Sequence, residues 1–390
     1  MPEGPLPRLL YLGDVPVEAS YHGSALIYRL LQHYPVDRLM IIESNLFRPG
    51  TDRRLPGVRH AMMTVGRRRL LQTRFHEWYS RWLLLRASSR TVQLGELLGG
   101  FSPDAILTVA HGYSWVTAAR YAEQIGVPLH LIVHDDWPRI VAGQPGVELE
   151  FARVYRQAAS RLCVSPFMAQ EYERRYGVAG TVLLPARAPN ATIFNGVADR
   201  LQKSNGGPVF VFAGTINSPG YAKLLVELAA QLARHHGTLR IYGPVTSAQA
   251  EALALTAVNI RLEGWLPSPQ LLERLRSDAD VLFVPMSFAE ADRWNMRMSF
   301  PSKLTDYTAV GLPLLICGPE DCAAVRWAQA NPGVAEVVKS DEASAIGVAV
   351  DRLCRDRDHR IALARTAQTV GKRDFAAERA EAILHAALVA

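Results

Sequence analysis

The sequence is poor in cysteine and, over its first 187 residues, has no lysine at all. Its 390 residues hold four cysteines, Cys163, Cys317, Cys322 and Cys354. They form no C-x-x-C pair and two of them sit inside apolar runs, which argues for reduced core thiols against a disulfide framework or a zinc site. No apolar run approaches the roughly 18 residues of a membrane span. The opening MPEGPLPRLLYLGD lacks a basic segment followed by an apolar one and a small-residue cleavage site, so a cytoplasmic protein is expected. Signs of disorder are also missing, since 49% of the residues are hydrophobic. The chain is too long for one ordinary core, and two domains of under about 200 residues each are expected.

The positive charge is unevenly spread. Residues 1–187 contain 22 Arg and 16 acidic residues, a net of +6, whereas residues 188–390 contain 21 basic and 21 acidic residues and are neutral. Seven arginines (67, 68, 69, 74, 81, 86 and 90) fall in one stretch that holds the single acid Glu77. Phe75, Trp78, Tyr79 and Trp82 recur there at helical spacing. One reading of residues 67–92 is a basic amphipathic helix able to lie on an anionic membrane surface; the other is a core helix with solvated arginines. A nucleic acid partner is not expected, because no recognised binding module accompanies the basic stretch.

Along the chain, short apolar runs alternate with helical patterns. Leu9 to Leu12, Leu39 to Ile42, Ala105 to Ala110, Leu129 to Val133 and Leu162 to Val164 read as buried strands, with helices after His22-Gly23-Ser24-Ala25, near Trp115 to Gln124 and over Leu149 to Ala159. A second series starts at Val209 to Ala213 and continues at Leu239 to Tyr242, Ile260 to Leu262, Val281 to Val284 and Leu314 to Cys317. The alternation predicts an α/β protein with parallel sheets covered by helices on both faces. The expected division is a first domain at 1–187, a turn-rich linker at 188–207, a second domain at 208–371 and a final helical segment at 372–390.

The densest signal is Ser299 to Pro313, SFPSKLTDYTAVGLP. Ser299 or Ser302 can cap a helix, Pro301 fits its first turn, and Gly311 with Pro313 stops it before a buried strand. A helix start with free N–H groups attracts phosphate, and Lys303 adds a full charge there. Asp306, one turn on, is suited to accepting hydrogen bonds from a pair of sugar hydroxyls.

This segment resembles the donor-binding helix of nucleotide-sugar glycosyltransferases with the GT-B fold, in the large retaining group typified by glycosyltransferase family 4 and its bacterial surface-glycan enzymes. Pro301, Ser302, Lys303, Leu304, Tyr307, Ala309, Gly311 and Pro313 match the pattern P-S-K-L-x-E-Y-x-A-x-G-x-P, and Asp306 stands where Glu is usual. Gly214 and Thr215, after a strand, with Lys223 beyond them, resemble the phosphate loop and basic residue of the donor domain. Glu263 to Pro267, which includes Leu266, is similar to the base-contacting turn. One position departs: the family's sugar-contacting Glu, eight residues before the ribose-binding acid, is replaced by Met298. The resemblance covers the C-terminal half well and the N-terminal half loosely.

The resemblance implies two Rossmann-like parallel-sheet domains facing a cleft, with the final segment crossing back to the first domain. It implies transfer of a sugar from a nucleoside diphosphate to an acceptor hydroxyl on a glycan or lipid-linked precursor, with retention. Lys223 and Lys303 would clamp the leaving diphosphate, and no cofactor or metal is called for, the nucleotide sugar being a substrate. In the first half, Gly23 and Ser24 resemble the glycine-containing loop beneath donor and acceptor. His134 and Asp135, at the end of a buried strand, look like the acceptor-side His-Asp pair, with Asp135 or Asp136 orienting the imidazole. Taken alone, Gly214-Thr215 reads equally as a strand-ending turn, Lys223 as a surface lysine and His134 as a structural hydrogen-bonder. Two other readings remain: a non-catalytic nucleotide-sugar-binding subunit, which Met298 favours, and an epimerase of the same fold, for which no acid/base motif stands out.

Overall fold

The computed structural model describes residues 5–19, 22–47, 53–141, 146–202 and 206–389. The side chain of His22 and residues 203–205 of the expected linker lie outside the described residues. The chain divides into two compact units, one of Met1–Pro189 with Ala377–Ala390 and the other of Asn190–Ala376.

The first unit holds a seven-stranded, wholly parallel sheet. In chain order the strands are β1 Leu9–Gly13, β2 Leu39–Ser44, β3 Arg59–Met63, β4 Ala105–Val109, β5 Leu129–Val133, β6 Ser160–Cys163 and β7 Thr181–Val182. They lie side by side as β3-β2-β1-β4-β5-β6-β7. β1, β2, β4 and β5 are buried along their whole length, which is why they read as unbroken apolar runs. Helix His22–Leu31 packs against helix Ala377–Val389, whose Ala380, Leu384 and Leu388 join the core of β1, β2 and β4.

The second unit holds a six-stranded parallel sheet: β8 Val209–Ala213, β9 Thr238–Tyr242, β10 Ile260–Gly264, β11 Val281–Pro285, β12 Leu314–Cys317 and β13 Glu336–Val338, ordered β10-β9-β8-β11-β12-β13. Helix Pro219–Ala233 contributes Leu224, Leu225, Leu228 and Leu232 to one core with Phe210, Phe212 and Phe283. The stretch entering this unit is held by Arg276, whose guanidinium donates to the carbonyls of Asn195, Gly196, Val197 and Val310 at 2.7–3.2 Å.

The basic stretch divides in two ways at once. In helix His76–Leu85, Tyr79, Ser80 and Leu83 are buried, while Trp78, Trp82 and Leu85, with Phe75 just before the helix, stay exposed. Helix Ala87–Leu98 buries Arg90, which donates to Thr117 Oγ1 at 2.9 Å and to the Leu83 carbonyl at 2.9 Å. One of the seven arginines is therefore core, not solvated. Among the described residues no helix is long and apolar enough to cross a membrane.

Candidate functional site

In the first unit the strand order reverses between β1 and β4, and open parallel sheets bind ligands outside the carboxyl ends of the strands at such a point. Asp14, just past β1, organises it. Its buried carboxylate accepts from the hydroxyl of Ser44 at the end of β2, from the Tyr113 N–H, and from the Ser114 N–H and hydroxyl at 2.6 and 2.8 Å. Burial raises the Asp14 pKa, and these donors oppose the rise. One carboxylate thus ties together three strand ends.

His134 follows β5 at this edge. Its Nε2 lies 3.2 Å from Asp135 Oδ2. Gly23 is packed against the ring so closely that a Cβ there would stand 3.0 Å from His134 Cε1, so a glycine permits the approach of helix His22–Leu31. The structure therefore brings Gly23, His134 and Asp135 together, with Ser24 half-buried beside Gly23. Asp136, by contrast, is buried and engaged elsewhere, accepting from Arg175 Nη2 at 2.8 Å and from Tyr172 Oη at 2.9 Å.

His111 was not legible as a member of the site. Its ring centroid is 5.4 Å from that of His134, 4.4 Å from Trp137 and 5.5 Å from Phe47, and its Nδ1 is 3.8 Å from Asp135 Oδ2. Burial, then the neighbouring His134, push its pKa down to about 4, leaving a neutral imidazole. A signal was present: His111 follows β4 just as His134 follows its neighbour β5. His111, His134 and Asp135 each offer a ligand atom within 4.8 Å of one another, a grouping able to hold a metal ion that sequence spacing did not suggest.

In the second unit, Gly214 ends β8 with a φ of 141° and donates its N–H to the Tyr242 carbonyl at 2.8 Å. Gly243 lies so near that a Cβ on it would be 2.2 Å from the Gly214 carbonyl oxygen, and Gly243 in turn donates to the Gly264 carbonyl at 2.8 Å. Three glycines thus lace the carboxyl ends of β8, β9 and β10, and half-buried Leu266 follows the third.

Against this edge stands Lys303. Its Nζ lies 3.9 Å from the Phe212 ring centroid and 5.9 Å from that of Tyr221, and would be 3.4 Å from a Cβ on Gly214. Burial draws its pKa down to about 7. One turn on, Tyr307 Oη accepts the Ala213 N–H at 2.6 Å, which fixes helix Lys303–Tyr307 to the end of β8. This helix is shorter than expected: turns replace it before Gly311, which has a φ of 73°. Neither serine caps it. Ser302 is itself helical with no capping bond from its side chain, and the Ser299 hydroxyl donates instead to Asn295 Oδ1 at 2.7 Å. Leu304 is buried, while Asp306 is half-buried on the same turn, near Thr305 Oγ1 at 3.4 Å.

Lys223 is not brought to Lys303. On helix Pro219–Ala233 it lies two residues, or about 200°, from the Tyr221 ring that faces Lys303. Its Nζ is bound to Asp341 at 2.6 Å on an exposed surface. Met298, where the family carries an acid, is 1% exposed and belongs to the interior. Met298 ends helix Glu290–Met298, whose Asp292 accepts from Ser218 Oγ at 2.6 Å.

Both units are Rossmann-like, with a candidate ligand edge on each, and together they make the GT-B fold. The comparisons agree. Residues 42–185 match the family profile described as Glycosyltransferase Family 4. This match lies in the first unit, the half whose resemblance was the looser by motif. No curated protein matches in sequence. Among solved structures, Anabaena HepE in complex with UDP and glucose is 14% identical, with a TM-score of 0.64 over 98% of this chain and 100% of that one. An α,α-trehalose 6-phosphate synthase from Burkholderia multivorans is 15% identical with a TM-score of 0.67, over 98% and 96% of the two chains. Sucrose-phosphate synthase from Thermosynechococcus elongatus is 15% identical with a TM-score of 0.68, over 96% and 97%. The chain thus joins a Glycosyltransferase Family 4 match in its first unit to the fold of GT-B glycosyltransferases.

Proposed function

We propose that the protein is a retaining glycosyltransferase that moves a sugar from a nucleoside diphosphate to an acceptor hydroxyl, in the synthesis of a surface polysaccharide or glycolipid. The observation that carries the donor half is Lys303. A lysine held over an aromatic ring with its pKa near 7 has no carboxylate partner among the described residues, and it sits against a glycine-laced strand edge. A diphosphate placed there restores its charge, and the charge is then set against the negative charge that develops as the sugar–phosphate bond breaks. Asp306 would take the ribose hydroxyls and the turn at Leu266 the base. Lys223 enters this reading only if its bond to Asp341 exchanges for one to phosphate.

On the other unit, His134, oriented by Asp135, contacts the sugar and the acceptor hydroxyl, beside Gly23 and Ser24, which lie not in a loop but in the first turn of helix His22–Leu31. The leaving phosphate takes the acceptor proton in the retaining mechanism, so no protein nucleophile is invoked. We further propose that transfer needs no metal. The trio of His111, His134 and Asp135 makes this testable, since undiminished turnover in a chelator supports it and a chelator-sensitive rate restored by a divalent ion refutes it. The acceptor is a glycan or a lipid-linked precursor. Phe75, Trp78, Trp82 and Leu85, exposed on a segment with one acid and many arginines, support peripheral attachment to an anionic membrane on the cytoplasmic face.

Titrating nucleoside diphosphates and nucleotide sugars calorimetrically without metal tests the donor site. Micromolar binding of one nucleotide, lost in Lys303→Ala, is expected; no binding of any nucleotide refutes the assignment. A non-catalytic nucleotide-sugar-binding subunit is the second reading, and the burial of Met298 favours it. His134→Ala separates the two, because a catalyst loses turnover while keeping its donor affinity.

A further inference from the structure

We infer that the acceptor carries a phosphate or diphosphate group, and that Arg67, Arg68 and Arg69 receive it. This rests on the glycosyltransferase reading and adds the acceptor's chemical class. The first unit contains an open cavity of about 860 Å³ lined by Asn45, Leu46, Gly66, the three arginines, Leu70 and Gln72. All three arginines are exposed, and none has a carboxylate partner among the described residues. Three exposed guanidiniums line one cavity with no carboxylate among its described lining residues, and an anion there supplies the missing counter-charge and offers paired oxygens to their planar donors.

The cavity wall is built rather than loose. Asn45 Oδ1 accepts the Val65 N–H at 2.8 Å, its Nδ2 donates to the Gly66 carbonyl at 2.8 Å, and the Arg67 N–H donates to the buried Tyr79 hydroxyl at 2.6 Å. These bonds fix the backbone from which the arginines project. The Phe47 ring links the arginines to the His134 cluster: the Arg68 guanidinium lies 5.4 Å from its centroid, and Phe47 lies 5.5 Å from the His111 ring, itself 5.4 Å from that of His134. A phosphate held by Arg68 would therefore stand one aromatic ring away from the His111–His134 pair.

The test uses the full chain and two probes, a hexose 6-phosphate and a monosaccharide linked through diphosphate to a ten-carbon prenyl chain, each paired with its phosphate-free counterpart. Binding is measured to the wild type, to the triple variant Arg67→Ala/Arg68→Ala/Arg69→Ala and to Lys303→Ala, with UDP as a donor-side control. At least one phosphorylated probe should bind ten-fold or more tightly than its counterpart, weaken with salt and lose that advantage in the triple variant but not in Lys303→Ala. Binding of the hexose 6-phosphate alone points to a free sugar phosphate, binding of the prenyl probe alone to a lipid headgroup, and binding of both shows that the arginines read the phosphate itself. Equal binding with and without phosphate, or an unchanged triple variant, overturns the inference. UDP binding lost everywhere while the arginine effect persists would sink the donor reading alone. Exposed arginines leave folding intact, which the thermal transition of the triple variant checks.

Discussion

Lys303 shows what one side chain's surroundings imply for binding. Its amine is mostly neutral at pH 8 because burial lowers its pKa to about 7, and a bound diphosphate must raise that value. Nucleoside diphosphate binding at pH 8 is therefore expected to take up close to one proton, seen as a difference in calorimetric heat between HEPES and Tris. Equal heats in the two buffers would contradict it. The adjacent carboxylates divide by role. Asp135→Asn should lower kcat and leave the fold alone, whereas Asp136→Ala should cost about 3 kcal/mol of stability, because it strands Arg175 and Tyr172 in the interior; denaturant titration and a turnover assay separate them. Lys303, His134 and Gly23 were legible as residues because each sits in a local pattern, a helix start or a strand end. His111 was not, for its place at the site comes from the lateral pairing of β4 with β5, which no local pattern records. Nor was the pairing of Lys223 with Asp341, which lie 118 residues apart.

At the level of elements, the central strands were readable because burial on both faces demands unbroken apolar runs. β3, β7 and β13 were missed for the complementary reason. Each is an edge strand with one neighbour, and RHAMM, TV and EVV satisfy that half-exposed duty without a hydrophobic signature. The helix at Lys303 was overextended because its stop signals, Gly311 and Pro313, end the turns that follow it and not the helix itself. The glycine lacing of β8, β9 and β10 gives the element-scale prediction. A methyl group in Gly243→Ala would stand 2.2 Å from the Gly214 carbonyl oxygen and must push the strand ends apart. That variant is expected to keep its circular dichroism spectrum and lose at least ten-fold in nucleotide affinity. Unchanged affinity would show that the strand edge is not the phosphate site.

For the whole molecule, the two units should respond to pH in different windows. In the first, His130 on β5 is 2% exposed, and burial lowers its pKa to about 4, as it does for His111. The unfolded chain binds protons at these histidines from about pH 6.5 downward while the folded unit does not, so stability falls as pH drops from about 6.5 to about 4, by up to about 3 kcal/mol for His130. In the second, the depressed Lys303 means the unfolded state binds the extra proton between about pH 7 and 10.5, so stability rises with pH across that range. Hydrogen exchange read separately over residues 5–189 and 190–376 should show both trends; a common trend would contradict them. The division of the chain carries a consequence for synthesis as well. Residues 190–376 form one uninterrupted stretch, but the first unit takes Ala380, Leu384 and Leu388 into its core from beyond them. During translation, then, the half made first must wait with its apolar groove uncovered while the half made second completes, and it closes only after residues 377–389 emerge from the ribosome.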